Sequence, residues 1–117
     1  MADVLSWNLQ LRVKDGHLDD ARTLMAEMVE ATRGEKGTLG YEWFLSEDGS
    51  ACHIQERFQD SEAALAHLGN FGANFADRFL GCFEPTGLTA YGEPSEDARA
   101  ALDGFGAAYL GTLGGFS

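Results

Sequence analysis

Four consecutive segments decide the fold: Gly37-Thr38-Leu39-Gly40-Tyr41-Glu42-Trp43-Phe44-Leu45, the turn Glu47-Asp48-Gly49, the run Ala51-Cys52-His53-Ile54-Gln55-Glu56-Arg57-Phe58, and Asp60-Ser61-Glu62-Ala63-Ala64-Leu65-Ala66-His67-Leu68. The first and third are rich in strand formers and joined by an Asp-Gly turn, which predicts a β-hairpin. Asp60 is a good N-cap for a helix, Glu62 sits in its first turn, and Ala63, Ala64 and Ala66 favour its continuation. On the second strand Cys52, Ile54, Glu56 and Phe58 share one face, so Glu56 is its odd residue. His67 lies between apolar neighbours on the helix. A carboxylate and an imidazole can therefore meet under one sheet.

Upstream, Trp7, Leu9, Leu11 and Val13 alternate with Asn8, Gln10, Arg12 and Lys14, the pattern of a half-buried strand. Asp15-Gly16 ends it. From His17 to Arg33 the apolar residues Leu18, Ala21, Leu24, Met25, Met28 and Val29 follow helical spacing, with Asp19 and Asp20 in the first turn and Arg33 in the last. Downstream, the second helix is expected to run on, kinked at Gly69 or Gly72, through an aromatic stripe of Phe71, Phe75 and Phe79. Phe83 to Gly92 reads as a fourth strand, with Pro85 marking an edge or a strand start. Pro94-Ser95-Glu96-Asp97 caps a short helix ending near Asp103-Gly104, and an apolar, glycine-containing tail follows.

The order strand, helix, strand, strand, helix, strand predicts an α+β ferredoxin-like split βαβ: a four-stranded antiparallel sheet, two helices on one face, and a C-terminal extra helix and tail. A single domain over 1–117 is expected, with its core at 4–92 and the helix and tail at 93–117. The other sheet face needs a cover, for Phe44 would otherwise stand in water, so a homodimer packing sheet on sheet is expected, the tail crossing to the partner.

With 19 acidic and 8 basic side chains, the net charge is −11, and no basic cluster tracks a phosphate backbone. Nucleic acid and anionic membrane are thus poor partners, and no apolar run approaches the roughly 20 residues of a spanning helix. The N-terminal residues lack the basic region of a signal peptide, and a cytoplasmic location is expected. Cys52 and Cys82 read as buried thiols. No ligand set at zinc spacing and no glycine-rich phosphate loop is present, so neither a metal nor a cofactor is expected.

Two stretches carry a resemblance. Thr32-Arg33-Gly34-Glu35-Lys36-Gly37-Thr38-Leu39-Gly40-Tyr41-Glu42, and Gln55-Glu56-Arg57-Phe58-Gln59-Asp60 with Glu62-Ala63 and Ala66-His67-Leu68, resemble the antibiotic biosynthesis monooxygenase-like family of dimeric α/β barrels. The likeness covers roughly Val4 to Tyr91. It implies a ligand pocket between the sheet and the two helices, with Glu56 and His67 in it and Asn8 as a polar strand residue. Phe71 is the nearest match to the aromatic or histidine position that follows the helix histidine. The helix after His67 has neither a tryptophan nor a second histidine, which separates the chain from the haem-degrading branch.

An imidazole with an ordinary pKa near 6.5 suits a general base at neutral pH. The expectation is a small cofactor-independent monooxygenase-like enzyme acting on an aromatic or quinol-type molecule, the oxygen chemistry resting on the resemblance alone. His67 is the base, Glu56 its orienter, Tyr41, Trp43 and Phe71 are walls, and Asn8 contacts the substrate. The alternative is a non-catalytic dimeric binding or interaction module, with Glu56 and His67 as satisfied buried groups and the aromatics as core.

Overall fold

A computed structural model describes residues 3–117. Its element order is β1 (Leu5–Val13), α1 (Leu18–Arg33), β2 (Thr38–Leu45), β3 (Ala51–Phe58), α2 (Ser61–Asn74), α3 (Ala76–Cys82), β4 (Phe83–Tyr91), α4 (Glu96–Asp103) and β5 (Ala108–Leu110). The sheet order is β2-β3-β1-β4-β5; all neighbours are antiparallel except β4 and β5, which are parallel. This is the ferredoxin-like α+β arrangement with one strand more than the four expected. The extra strand lies within the anticipated tail and pairs Ala108 to Leu110 with Thr89 to Tyr91.

Alternation builds the core. Leu5, Trp7, Leu9, Leu11 and Val13 of β1 and Cys52, Ile54 and Phe58 of β3 are buried on the helical side. Ala21, Leu24, Met28 and Thr32 form the buried stripe of α1. The hairpin turn is tied by Asp48, whose Oδ1 accepts from Ser46 Oγ, Ser50 N and Ser50 Oγ, and these bonds hold its pKa down at about 2. Asp60 and Ser95 cap α2 and α4, accepting from Ala63 N at 2.8 Å and Ala98 N at 3.1 Å.

Two local expectations are corrected. The second helix is not kinked at Gly69 or Gly72 but divided at Phe75, whose φ of −130° is outside the helical range. Asn74 helps end α2 there: its amide donates to the Asn70 carbonyl at 3.1 Å, a side-chain bond that competes with the helix's own ladder. Strand alternation in the sequence sets Leu39 on one face with Tyr41 and Trp43, but β2 slips register between Thr38 and Gly40 and leaves it exposed. Pro85 lies beside a similar irregularity, where β1 skips from Gly87 to Pro85, and β5 does not extend far enough to require its missing N–H.

Candidate functional site

His67 faces inward from the middle of α2 and is held between two carboxylates. Its Nε2 lies 3.1 Å from Glu56 Oε1 and its Nδ1 2.9 Å from Glu35 Oε1. All three side chains are largely buried, at 7%, 5% and 14% exposure, so none has bulk water as its main partner. Glu56 arrives by strand alternation, directly across from Trp7 on β1 and Tyr41 on β2. Glu35 arrives from the loop after α1, where Thr38 Oγ1 donates to its Oε1 at 2.8 Å and Asn70 Nδ2 to its Oε2 at 3.2 Å.

Gly37 is the reason that loop can lie so close. A Cβ there would overlap the Cβ of Ala63 on α2. The Gly37 carbonyl also accepts from Gln59 N at 2.9 Å, which pins the loop to the start of α2. Glycine at this position thus lets the α1–β2 loop approach α2 and deliver Glu35 to His67.

Burial alone would lower the His67 pKa, but the Glu56 carboxylate and then Glu35 more than offset it, and the net shift is upward. Tyr41 stacks edge-on to the imidazole with ring centroids 5.3 Å apart. Its phenol is pushed above its ordinary value by burial and then by the Glu56 charge, so it stays protonated. Phe58 packs on the imidazole at 5.2 Å.

Space around the imidazole is unequal. On the Glu56 side, a cavity of about 20 Å³ is bounded by Trp7, Tyr41, Leu68, Phe71 and Phe105, room for about one water. On the Glu35 side, a cleft of about 200 Å³ between α1 and α2 is lined by Thr32, Glu35, His67, Asn70, Asn74 and Phe75. Farther along the same layer, an apolar cleft of about 170 Å³ lies between α1 and β2, bounded by Leu18, Ala21, Met25, Trp43, Phe44 and Cys52.

Of the residues singled out in the sequence, Glu56, His67, Tyr41 and Phe71 come together at the small cavity. Trp43 does not reach it. It packs on Phe83 and Phe79 beside the second cleft, with its indole N–H buried and unpartnered. Asn8 must be corrected more fully: it is paired with Gln55 and Thr89 on the sheet face opposite Trp7 and Glu56, so it cannot line a pocket under the helices of its own chain. Its amide oxygen is buried without a partner on that face. Glu35 was not among the expected site residues, because it lies in a loop with no periodic pattern to mark it. The two carboxylates address opposite nitrogens of one ring rather than a common point, and among the described residues no group of three His, Cys, Asp or Glu is arranged to hold a metal ion.

The structure thus places a buried acid–base cluster under a ferredoxin-like α+β sheet. Residues 6–76, more than half of the chain, match the family described as antibiotic biosynthesis monooxygenase, and the chain belongs to that family. Among solved structures, MupZ from Pseudomonas fluorescens is similar in fold, with a TM-score of 0.87 at 20% identity over 98% of this chain and 94% of that one. SnoaB, a cofactor-independent oxygenase from Streptomyces nogalater, has a TM-score of 0.68 at 12% identity over 80% of this chain and 96% of that one. A conserved protein from Methanosarcina mazei has a TM-score of 0.68 at 16% identity over 79% and 94%. No curated protein sequence matches the chain. No helix among the described residues is long and apolar enough to cross a membrane.

Proposed function

We propose that the chain is a homodimeric, cofactor-independent monooxygenase-like enzyme acting on an aromatic or quinol-type small molecule, with the whole of 1–117 as one functional domain. The observation that carries this reading is the buried Glu35–His67–Glu56 cluster beside Tyr41 and Phe71. Family membership supports the oxygen chemistry, and SnoaB provides a fold precedent described as a cofactor-independent oxygenase.

The geometry favours a change in how the two leading residues divide the work. Both ring nitrogens of His67 already face carboxylates, so the imidazole has no free lone pair to offer a substrate. Glu56 borders the small cavity and is the group that accepts a substrate proton; His67 holds the opposing charge and Glu35 fixes its ring. The substrate anion then reduces oxygen, one oxygen atom entering the substrate and the other leaving as water. Tyr41 supplies a neutral hydroxyl near the anion. A quinol-sized ligand displaces the half-buried Phe71 and Phe105 side chains that now close the cavity.

The cavity of about 20 Å³ favours a second reading, a non-catalytic dimeric module whose pocket is filled by its own side chains. Oxygen uptake with a panel of hydroquinones and anthrones separates the two. The enzymatic reading requires turnover that drops about 100-fold or more in Glu56→Gln. Absence of uptake from the whole panel, together with no chemical-shift change at His67 on adding any of its members, sinks that reading and leaves the module.

A further inference from the structure

His67 is reached from two sides that differ in both size and polarity. On the Glu56 side the cavity of about 20 Å³ is walled by Trp7, Leu68, Phe71 and Phe105. On the Glu35 side the cleft between α1 and α2 holds about 200 Å³, and its polar walls are Thr32, Glu35, Asn70 and Asn74. A buried water needs room and about two to four polar partners. Of the two spaces, the second offers both to several waters.

Glu35 stands between that cleft and the ring. Its Oε1 lies 2.9 Å from His67 Nδ1, and its Oε2 accepts from Asn70 Nδ2 at 3.2 Å. One carboxylate oxygen thus meets the buried imidazole while the other meets an exposed side chain in the wall of the cleft. The Glu35 side chain is 14% exposed, against 5% for Glu56. Among the described residues that line the cleft, Glu35 and His67 are the titratable ones. Elsewhere the ring is closed off, with Tyr41 and Phe58 packed on it and Glu56 at Nε2. A proton moving between Nδ1 and the water of the cleft therefore meets Glu35 first.

We propose that Glu35 is a proton port, passing protons between His67 Nδ1 and water in the cleft between α1 and α2 while the Glu56 side is sealed. Assigning the Glu56 side to substrate rests on the proposed function, whereas the port itself operates without turnover. In the outward step the Nδ1–H bond breaks as an O–H bond forms on Glu35, the ring keeping the electron pair, and the acid then gives that proton to water. The reverse steps reload the ring, and no electrons are exchanged. A substrate that expels the water of the small cavity leaves Glu56 out of reach of solvent, but the Glu35 side stays wet. The charge on the imidazole thereby remains in balance with solvent throughout turnover. Glu35 acts through His67 and is a positioning residue with a second task. The two tasks separate in Glu35→Gln, because an amide keeps an oxygen to hold the ring yet takes up no proton.

The test follows the two ring N–H protons of His67 in the isotope-labelled full chain, by transfer of saturation from water at about pH 5.5, where the ring is charged. Three proteins are compared: the unsubstituted chain, Glu35→Gln, and Ala31→Leu, whose added carbons narrow the cleft and leave the carboxylate in place. Expected is an Nδ1–H that exchanges about tenfold or more faster than the Nε2–H, and that slows about tenfold in both variants while the Nε2–H keeps its rate. Equal rates at the two nitrogens of the unsubstituted chain, or an Nδ1–H rate unchanged in Glu35→Gln, overturn the port. Exchange that quickens at both nitrogens of Glu35→Gln shows a residue that only holds the ring, and that also overturns it. A rate that falls in Glu35→Gln but not in Ala31→Leu overturns the cleft as the path. Absence of oxygen uptake from the hydroquinone panel ends the enzymatic reading without moving either exchange rate, so the two failures are told apart.

Discussion

The two ends of the layer between sheet and helices differ in a way that separates chemistry from room. At the His67 end two buried carboxylates lie within hydrogen-bonding reach of one buried imidazole, and the adjoining cavity on the Glu56 side holds about 20 Å³. At the Trp43 end about 170 Å³ is open, yet its walls are apolar apart from Arg22, a free thiol and an unpartnered indole N–H. Burying a charge is costly unless it is paired, so the His67 end is the one that needed partners from three separate elements. Empty volume alone would have pointed to the wrong end.

Removing the central partner should break that contrast most severely. His67→Ala leaves Glu35 and Glu56 buried with no counter-charge, and a loss of about 3–5 kcal/mol in urea-unfolding stability is expected. Adding Glu56→Gln to that variant should recover part of the loss, since one unpaired charge is then gone. Additive losses in the double variant would mean that the cluster is not energetically coupled. Next in size is Gly37→Ala, whose methyl group meets Ala63. We expect a loss of about 1–3 kcal/mol from overpacking, accompanied by a changed His67 imidazole signal as the loop carrying Glu35 moves away. An unchanged imidazole signal would separate Gly37 from the delivery of Glu35.

These positions also show what a sequence can and cannot reveal. Glu56 and His67 were legible because each interrupts a regular pattern, one a period-two strand face and the other an apolar helix stretch. Glu35 interrupts nothing. Its role depends on a close approach between loop and helix, visible in the sequence only as a glycine whose neighbour across the contact was unknown. Asn8 teaches the converse lesson. Strand alternation already set it opposite Trp7, and the family likeness drew it into a pocket that alternation excluded. β5 escaped because three residues among glycines carry no periodicity, and its pairing with β4 is made by tertiary contact. The division at Phe75 escaped for a related reason, since glycine is the stronger helix breaker by propensity but an asparagine side chain competes for the backbone locally.

A smaller effect concerns pH. The His67 pKa is higher in the folded chain than the ordinary 6.5 or so of an unfolded histidine. The folded state therefore holds the proton more tightly, and the cluster's stabilising contribution is fully present below about pH 6.5. It is lost as pH rises through the folded value. Urea midpoints measured from mildly acidic to alkaline pH should fall over that window in the unsubstituted chain, with the His67-dependent part of the slope absent in His67→Gln. Equal slopes in the two proteins would show that the imidazole is not charged in the folded state.

The smallest expected change tests the roomy end. Ala21 is buried on α1 and borders the cleft of about 170 Å³, so Ala21→Leu places three more carbons where space exists, and leucine costs little helix propensity relative to alanine. A gain of about 0.5–2 kcal/mol in the stability of the isolated fold is expected from filling it. A loss instead would mean that the walls of the cleft cannot take the added volume, and the difference between the two ends would then reduce to where charge is buried.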